Sequence, residues 1–244
     1  MYASTLLRAA LAAALFAPAL ASAHVSYTGR DFGGYGGAGG SLTIANQAVS
    51  GNYGWADGLD DDFGDTHKLR AFRFTLTETM EVTLSVAANA AATTTSVGGL
   101  LPGFSIYQGL AHLKPLKPDY DYSAGSQAYL DSLGGVPKEG AFRAMNDWAF
   151  TNDDNDPLSW FHYRGYAADD NLDGYASGSF VLGPGDYSVF IGGAHYIAQL
   201  DSAAPSYGLA ATFSAAPVPE AESYAMMLAG LGLVGFAVRR RARA

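Results

Sequence analysis

The chain has 244 residues with a formal net charge of −9, only 15% charged residues, and 30 glycines, 15 tyrosines and 13 phenylalanines. This acidity argues against nucleic-acid binding, because an acidic surface repels phosphate backbones, and it favours cations as ligands. Cysteine is absent from the sequence, which excludes a disulfide framework and a zinc–thiolate site. Many glycines and aromatic residues with little charge are typical of all-β proteins, since turns use the φ > 0 freedom of glycine and strands favour aromatic side chains.

The first 23 residues have the three parts of a secretory signal peptide. Arg8 provides a positive charge near the start, an alanine-rich apolar run extends to Leu20, and Ala21-Ser22-Ala23 supplies the small side chains of a cleavage site. The apolar run is shorter than the roughly 20 residues that a membrane span needs. We therefore expect a signal helix over 1–23 that signal peptidase removes, which leaves His24 as the first residue of an exported chain.

A glycine-rich stretch opens the mature chain. Six of the nine residues from Phe32 to Gly40 are glycine. A formal G-x-G-x-x-G begins at Gly34, but no strand is predicted before it, so the context of a dinucleotide-binding turn is missing. We predict a flexible loop over residues 24–40.

The body of the chain alternates apolar and polar residues with a period of two, which indicates half-buried strands. The alternating segments are 72–76, 82–86, 104–107, 180–182, 187–191 and 207–213. Pro184-Gly185, between the fourth and fifth of them, is a pair favoured in turns. We predict one all-β ectodomain over 24–216, an antiparallel β-sandwich or jelly roll, with a signal helix before it and a transmembrane helix after it.

The order of these segments resembles the bacterial pre-peptidase C-terminal type of β-sandwich. The similar pieces are 72–76, 82–86, 104–109, 182–189 and 207–213. The resemblance implies that 182–189 forms a hairpin and that residues 110–176 are an insertion with no counterpart. It also implies an accessory module rather than a catalyst.

One segment fits the pattern of a calcium-binding loop. In Asp169-Asp170-Asn171-Leu172-Asp173-Gly174, oxygen side chains occupy positions 1, 3 and 5 and glycine occupies position 6. The predicted ligands are Asp169, Asn171 and Asp173, together with the Tyr175 carbonyl. Position 12 is Phe180 instead of glutamate and no flanking helices are predicted, which argues against an EF-hand. The alternatives are a β-linked calcium site and a solvated acidic turn.

Copper is the second candidate cofactor, with histidine nitrogens as its ligands. If cleavage follows Ala23, the amine and imidazole of His24 together with one further histidine form a three-nitrogen copper site, the histidine brace. The sequence leaves His67, His162 and His195 open as partners. The alternative is that His24 merely follows the cleavage point.

The second candidate copper-binding site is the tripeptide Trp160-Phe161-His162. This tripeptide is similar to the W-x-H of surface copper-binding proteins of methane-oxidising bacteria, in which histidines and an oxidised tryptophan bind Cu(I). The resemblance implies copper ligation by Trp160 and His162. The alternative is a core tryptophan beside a surface histidine, since the outer two residues of a strand tripeptide share a face in any case.

No sequence signature of a hydrolase occurs in the chain: G-x-S-x-G, H-E-x-x-H and a cysteine nucleophile are all absent. We expect a protein that is not an enzyme. A dispersed Ser/His/Asp triad or a pair of carboxylates leaves a polysaccharide-active enzyme as an alternative.

The last segment, 217–244, has three parts. Pro217-Val218-Pro219-Glu220 breaks the preceding strand, residues 224–238 form an uncharged run rich in Leu and Gly, and an arginine cluster closes the chain. As a helix, fifteen residues at about 1.5 Å each span roughly 22 Å, less than the ~30 Å hydrocarbon core. The arginine cluster is expected to remain cytoplasmic, which places the body outside the membrane.

These three parts resemble the PEP-CTERM sorting signal of exosortase-processed proteins. The residues that carry the resemblance are Val218, Pro219, Glu220, Ala221, Arg239, Arg240 and Arg241, with Ala221 standing where the family usually has proline. The resemblance implies exosortase as a partner, transient anchoring in the inner membrane of a Gram-negative bacterium, and delivery to the cell surface or the exopolysaccharide matrix.

Overall fold

The structure is a computed structural model that describes residues 25–55, 62–112, 141–150, 158–195, 197–198, 205–218, 229, 231 and 239. Within these ranges there are twelve strands and one short 3-10 helix at Thr66–Lys68. The strands are β1 Asp31–Tyr35, β2 Gly40–Ser50, β3 Phe63–Asp65, β4 Arg70–Leu76, β5 Met80–Ala88, β6 Pro102–Gln108, β7 Ala141–Arg143, β8 Trp148–Phe150, β9 Ser159–Ala168, β10 Tyr175–Leu182, β11 Gly185–Gly193 and β12 Ser206–Pro217.

Two main sheets face each other. One has the strand order β1-β4-β11-β6-β9-β8, the other has the order β10-β5-β12-β2, and β3 and β7 form a separate small pair. The β1–β4 pairing is parallel, and the other ladders between these strands are antiparallel. The predicted all-β sandwich is confirmed, and each of the six alternating segments lies in a strand.

The main core lies between the two sheets and follows the alternation seen in the sequence. Phe74 from the six-stranded sheet meets Phe213 from the four-stranded sheet, with 4.5 Å between ring centroids, and stacks on Tyr187 at 4.9 Å. All three side chains are almost completely buried. Burial of each such side chain stabilises the fold by about 1.5–3 kcal/mol, which makes this layer the main source of stability.

A second core covers the outer face of the six-stranded sheet. It contains the buried side chains of Tyr107, Phe161, Phe190 and Trp148, together with Val25 and Tyr27 from the segment before β1. The central strands β6 and β11 are therefore buried on both faces, and β11 has seven consecutive buried residues. The alternation in the sequence reports only the face that packs against the other sheet.

Three details of the predicted organisation differ in the structure. The glycine-rich stretch predicted as a loop contains β1, which pairs with β4 through a register shift between Asp31 and Gly34. The segment 110–176, predicted as an insertion, contains β9, which is an integral strand of the six-stranded sheet. The predicted hairpin over 182–189 is wrong as a pairing, because β10 pairs with β5 whereas β11 pairs with β4 and β6. Pro184 instead lies in the connection that crosses between the sheets.

The two terminal helices predicted from the sequence lie almost entirely outside the described residues. Of the apolar run, Ala229 and Leu231 are described, and both are helical, as is Arg239. None of the described helical residues belongs to a helix with the length and apolar character needed to cross a bilayer. Strand β12 ends at Pro217, which is the first residue of the predicted sorting segment.

Candidate ligand-binding surface on strand β9

Strand β9 presents Trp160 and His162 on one exposed face. The strand alternates, so that Phe161 between them is fully buried and stacks on Trp148, with 4.8 Å between ring centroids. The Trp160 side chain is 52% exposed and the His162 side chain 54% exposed. Because residues i and i+2 of a strand point to the same side, the buried Phe161 fixes the direction of both exposed neighbours.

A carboxylate orients the His162 ring. Asp147, between β7 and β8, places Oδ2 3.1 Å from His162 Nδ1, while its Oδ1 accepts a hydrogen bond from the Tyr163 amide at 2.7 Å. Burial alone would raise the pKa of Asp147, but the hydrogen bonds from His162 and Tyr163 and the charges of His162 and Arg164 lower it below its usual value. Since Nδ1 faces the carboxylate, Nε2 is the ring nitrogen directed away from Asp147.

A close backbone approach and a side-chain hydrogen bond place Trp160 at one end of the sandwich. Gly109 has φ of +122°, and a Cβ atom at this position would lie 2.2 Å from the Trp160 carbonyl oxygen, so glycine is required for this close approach. Next to it, Arg164 donates a 2.6 Å hydrogen bond to the Gln108 side chain. These two contacts join the end of β6 to Trp160 and Arg164 of β9.

The histidines predicted as copper ligands are not brought together in the described part of the chain. His67 lies just before β4, and its Nδ1 is 2.8 Å from Asp65 Oδ1. His195 lies just after β11, and its amide donates a hydrogen bond to the Asn52 carbonyl. Arg70 pairs with Ile191, so the start of β4 and the end of β11 lie at the same end of the sheet. His162 pairs with Gln108 at the opposite end. His24 lies outside the described residues.

His112 is a neighbour of this surface that the sequence did not indicate. Its amide donates a 2.9 Å hydrogen bond to the Ser159 hydroxyl, and Ser159 directly precedes Trp160. The two residues are 47 positions apart, and no spacing motif links them. Only the pairing of β6 with β9 brings them together.

The predicted calcium loop forms a turn that the Asp169 side chain closes. Asp169 is only 6% exposed, and its carboxylate accepts the Asp173 amide at 3.1 Å and the Gly174 amide at 2.7 Å. Leu172 adopts a left-handed φ of 58°, and the Tyr175 side chain is 49% exposed. Among the residues described, no group of three or more His, Cys, Asp or Glu side chains is placed to hold a metal ion. Calcium binding at Asp169, Asn171, Asp173 and Tyr175 is therefore not supported.

The fold and its C-terminal segment define an exported all-β sandwich protein. Residues 217–241 match the PEP-CTERM protein-sorting motif. The chain thus carries the sorting signal of an exported protein that passes through a membrane-anchored intermediate and is processed by exosortase. No curated protein matches the chain in sequence.

The solved structures that are similar to the chain include three with described functions or domains. CorA of Methylomicrobium album, a surface-associated copper-binding protein important in copper acquisition, is 13% identical, with 78% of this chain and 98% of CorA covered and a TM-score of 0.42. MopE of Methylococcus capsulatus, a secreted protein in which an oxidised tryptophan facilitates copper binding, is 15% identical, with coverage of 78% and 87% and a TM-score of 0.40. The pre-peptidase C-terminal domain of a Bacillus anthracis collagenase is 8% identical, with coverage of 75% and 90% and a TM-score of 0.29.

Proposed function

We propose that this chain is a non-enzymatic protein that signal peptidase and exosortase deliver to the cell surface or its exopolysaccharide matrix. The observation that carries the proposal is the PEP-CTERM match over 217–241, which begins at the last residue of β12. The folded sandwich and the sorting segment therefore follow each other without an intervening linker. Because the last strand ends where the sorting signal begins, cleavage within the signal would release the whole sandwich.

Each part of the sorting segment has a role in this proposal. Val218, Pro219, Glu220 and Ala221 form the motif that exosortase reads, and the apolar run 224–238 holds the intermediate in the membrane. The arginines 239, 240 and 241 keep the C-terminus on the cytoplasmic side, because positively charged flanks resist translocation.

Replacement of Glu220 by alanine tests the sorting function. The variant is expected to stay in the membrane fraction at full length, because the acidic residue of the motif is lost. Glu222→Ala is the matched control, since it removes the same charge directly after the motif and should be processed normally. Immunoblots of membrane and medium fractions distinguish the two products. Release of Glu220→Ala at the mature size would show that exosortase does not process the chain.

A second function, copper binding at Trp160 and His162, is favoured by the contact between Asp147 and His162. A histidine that ligates a metal usually has its other ring nitrogen hydrogen-bonded to a carboxylate or carbonyl, which fixes the ring and increases its basicity. His162 has this arrangement, with Nε2 directed away from Asp147, and it shares an exposed strand face with Trp160. Imidazole is a suitable copper ligand, and an exported protein has access to the metal outside the cell.

Titration of the mature protein with Cu(I) against a competing chelator tests this function. His162→Ala is expected to abolish binding, whereas His67→Ala, at the other end of the sandwich, should leave it unchanged. His24→Ala separates the strand site from an N-terminal brace. Equal binding by the wild type and His162→Ala would show that His162 is not a ligand.

A further inference from the structure

The chain leaves the sandwich at a defined end, which we call the exit pole. At the end of β12, Pro217 pairs with Met80, the first residue of β5. Met80 in turn pairs with Leu182, the last residue of β10, so that the connection to β11 begins at the same end. The exit pole consists of the segments 36–39, 77–79, 183–184 and 217–218. The Thr77 amide donates a 2.9 Å hydrogen bond to the carbonyl of Tyr35, the residue just before the first segment.

Trp160 and His162 lie at this same end of the molecule. Gln108, the last residue of β6, pairs with both His162 and Tyr187, near the start of β11. The Gly109 amide donates a 2.9 Å hydrogen bond to the Asp186 carbonyl, and Gly109 itself packs against the Trp160 backbone. The candidate ligand-binding surface is therefore on the side of the sandwich from which the sorting segment emerges.

The opposite end, which we call the far pole, is about one strand length away. It contains the loop 89–99 and the turn 169–174. The amide of Ala88, just before the loop, donates a 2.8 Å hydrogen bond to the carbonyl of Gly174 in the turn. Strand β5 connects the two ends with nine residues. At about 3.3 Å per residue, the two poles are separated by roughly 30 Å.

The connection to the membrane segment is shorter than this separation. Six peptide steps lead from Val218 to Tyr224, where the apolar run begins. Even fully extended, they reach at most about 20 Å. An anchored molecule with its far pole on the bilayer would need a connection of about 30 Å, so this orientation is excluded. The connection keeps the exit pole next to the membrane.

We propose that in the membrane-anchored intermediate the exit pole faces the bilayer with Trp160 in the lipid interface, and that cleavage by exosortase uncovers Trp160 and His162. This inference rests on the proposed sorting function. Tryptophan is the side chain expected at such a contact, because its apolar rings and polar N–H suit the boundary between lipid and water. Ligand binding at Trp160 and His162 is then confined to the released protein.

The absence of cysteine from the sequence allows a direct test on the full chain. Thr79→Cys at the exit pole and Thr94→Cys at the far pole replace exposed threonines and take the same environment-sensitive fluorophore. Each labelled protein is reconstituted in phosphatidylcholine vesicles that contain a lipid with a quencher near its headgroup. We expect several-fold stronger quenching of the label at position 79 than of the label at position 94. Insertion of about 15 Gly/Ser residues after Val218, which extend to about 50 Å, should remove most of the difference.

Tryptophan fluorescence gives a second readout on the unlabelled chain. Trp55 and Trp148 are only 4% and 1% exposed, so quenching by brominated lipid should come from Trp160 and disappear in Trp160→Phe. Equal quenching of the two labels in protein that floats with the vesicles would overturn the orientation but leave the sorting function intact. Protein that fails to float would contradict membrane anchoring itself, and with it the proposed sorting function.

Discussion

The hydroxyl groups of Tyr27 and Ser188 are 2.6 Å apart although the two residues are separated by 161 positions. Ser188 donates on to the Gly109 carbonyl at 2.6 Å, and the Ala111 amide donates to the Tyr27 oxygen at 3.0 Å. This buried network joins the segment before β1 to the centre of β11 and to the end of β6. The first residues of the described chain are therefore part of the core.

Tyr27→Phe is expected to destabilise the fold by about 1–3 kcal/mol, because the buried Ala111 amide loses its acceptor while the ring remains in place. Tyr175→Phe removes the same hydroxyl from a half-exposed position and should change the free energy of unfolding by less than about 0.5 kcal/mol. Denaturant unfolding followed by fluorescence measures both. Equal effects of the two substitutions would mean that the Tyr27 network is not stabilising.

The same network predicts a loss of stability at alkaline pH. Burial raises the pKa of Tyr27, and this effect outweighs the bonds with Ala111 and Ser188 and the charge of Arg73, which act in the opposite direction. The fold thus favours the neutral phenol, so this contribution is fully present below the unfolded pKa of about 10 and is lost as pH rises through the folded value. Melting temperatures between about pH 8 and 11 should fall more for the wild type than for Tyr27→Phe. Parallel curves would contradict this assignment.

Asp62 holds the small β3–β7 pair together. It forms an ion pair with Arg143, and its carboxylate accepts the Met145 amide at 2.8 Å and the Asn146 side-chain amide at 2.9 Å. Both members of the ion pair are largely buried, at 17% and 13% exposure. Asp62→Ala should therefore cost about 3 kcal/mol, because it leaves a buried charge and two donors without their acceptor.

Asp31→Ala is the control for this prediction. The ion pair of Asp31 with Arg73 is 41% exposed on both sides, so its loss should cost about 1 kcal/mol or less. Chemical denaturation gives the two values, and protease sensitivity near residues 141–150 reports local opening. A smaller effect of Asp62→Ala than of Asp31→Ala would show that the β3–β7 pair contributes little to stability.

Asp169 is expected to act as a structural cap rather than as a calcium ligand. Asp169→Ala should destabilise the fold by about 1–3 kcal/mol through the loss of two backbone hydrogen bonds, whereas Asp170→Ala, at the exposed next position, should have little effect. Saturating calcium should leave the melting temperature of the wild type unchanged. A rise with calcium that Asp169→Ala abolishes would restore the calcium hypothesis.

Asp147→Asn tests how the candidate copper ligand is oriented. The variant should bind Cu(I) about 10–100-fold more weakly, because the loss of the carboxylate removes the partner that orients the His162 ring. Asp65→Asn is the matched control, since it changes the other histidine–carboxylate contact, that of His67. Competition titration measures both affinities. Equal affinities of Asp147→Asn and Asp65→Asn would contradict a positioning role for Asp147.

Much of the fold was predictable because alternation in a strand records one buried face. Phe72, Phe74 and Leu76 have a period of two, and all three are buried in the layer between the sheets. Strand β1 was missed because glycine carries no side chain to display a pattern, although Phe32 within it is buried. Whether residues 182–189 form a hairpin depends on which sheet each strand joins, and alternation contains no information about partners.

Local patterns of charge, hydrophobicity and period were sufficient to predict the sorting segment and the class of fold. The folded chain was needed to show that Asp147 contacts His162 and that the Asp169 carboxylate accepts two amides of its own turn. It was also needed to show that a second core covers β6 and β11. It also decided that Trp160 lies at the end where the chain exits toward the membrane. These relationships join residues on different strands, so they depend on strand order and register, which arise from the packing of the whole chain.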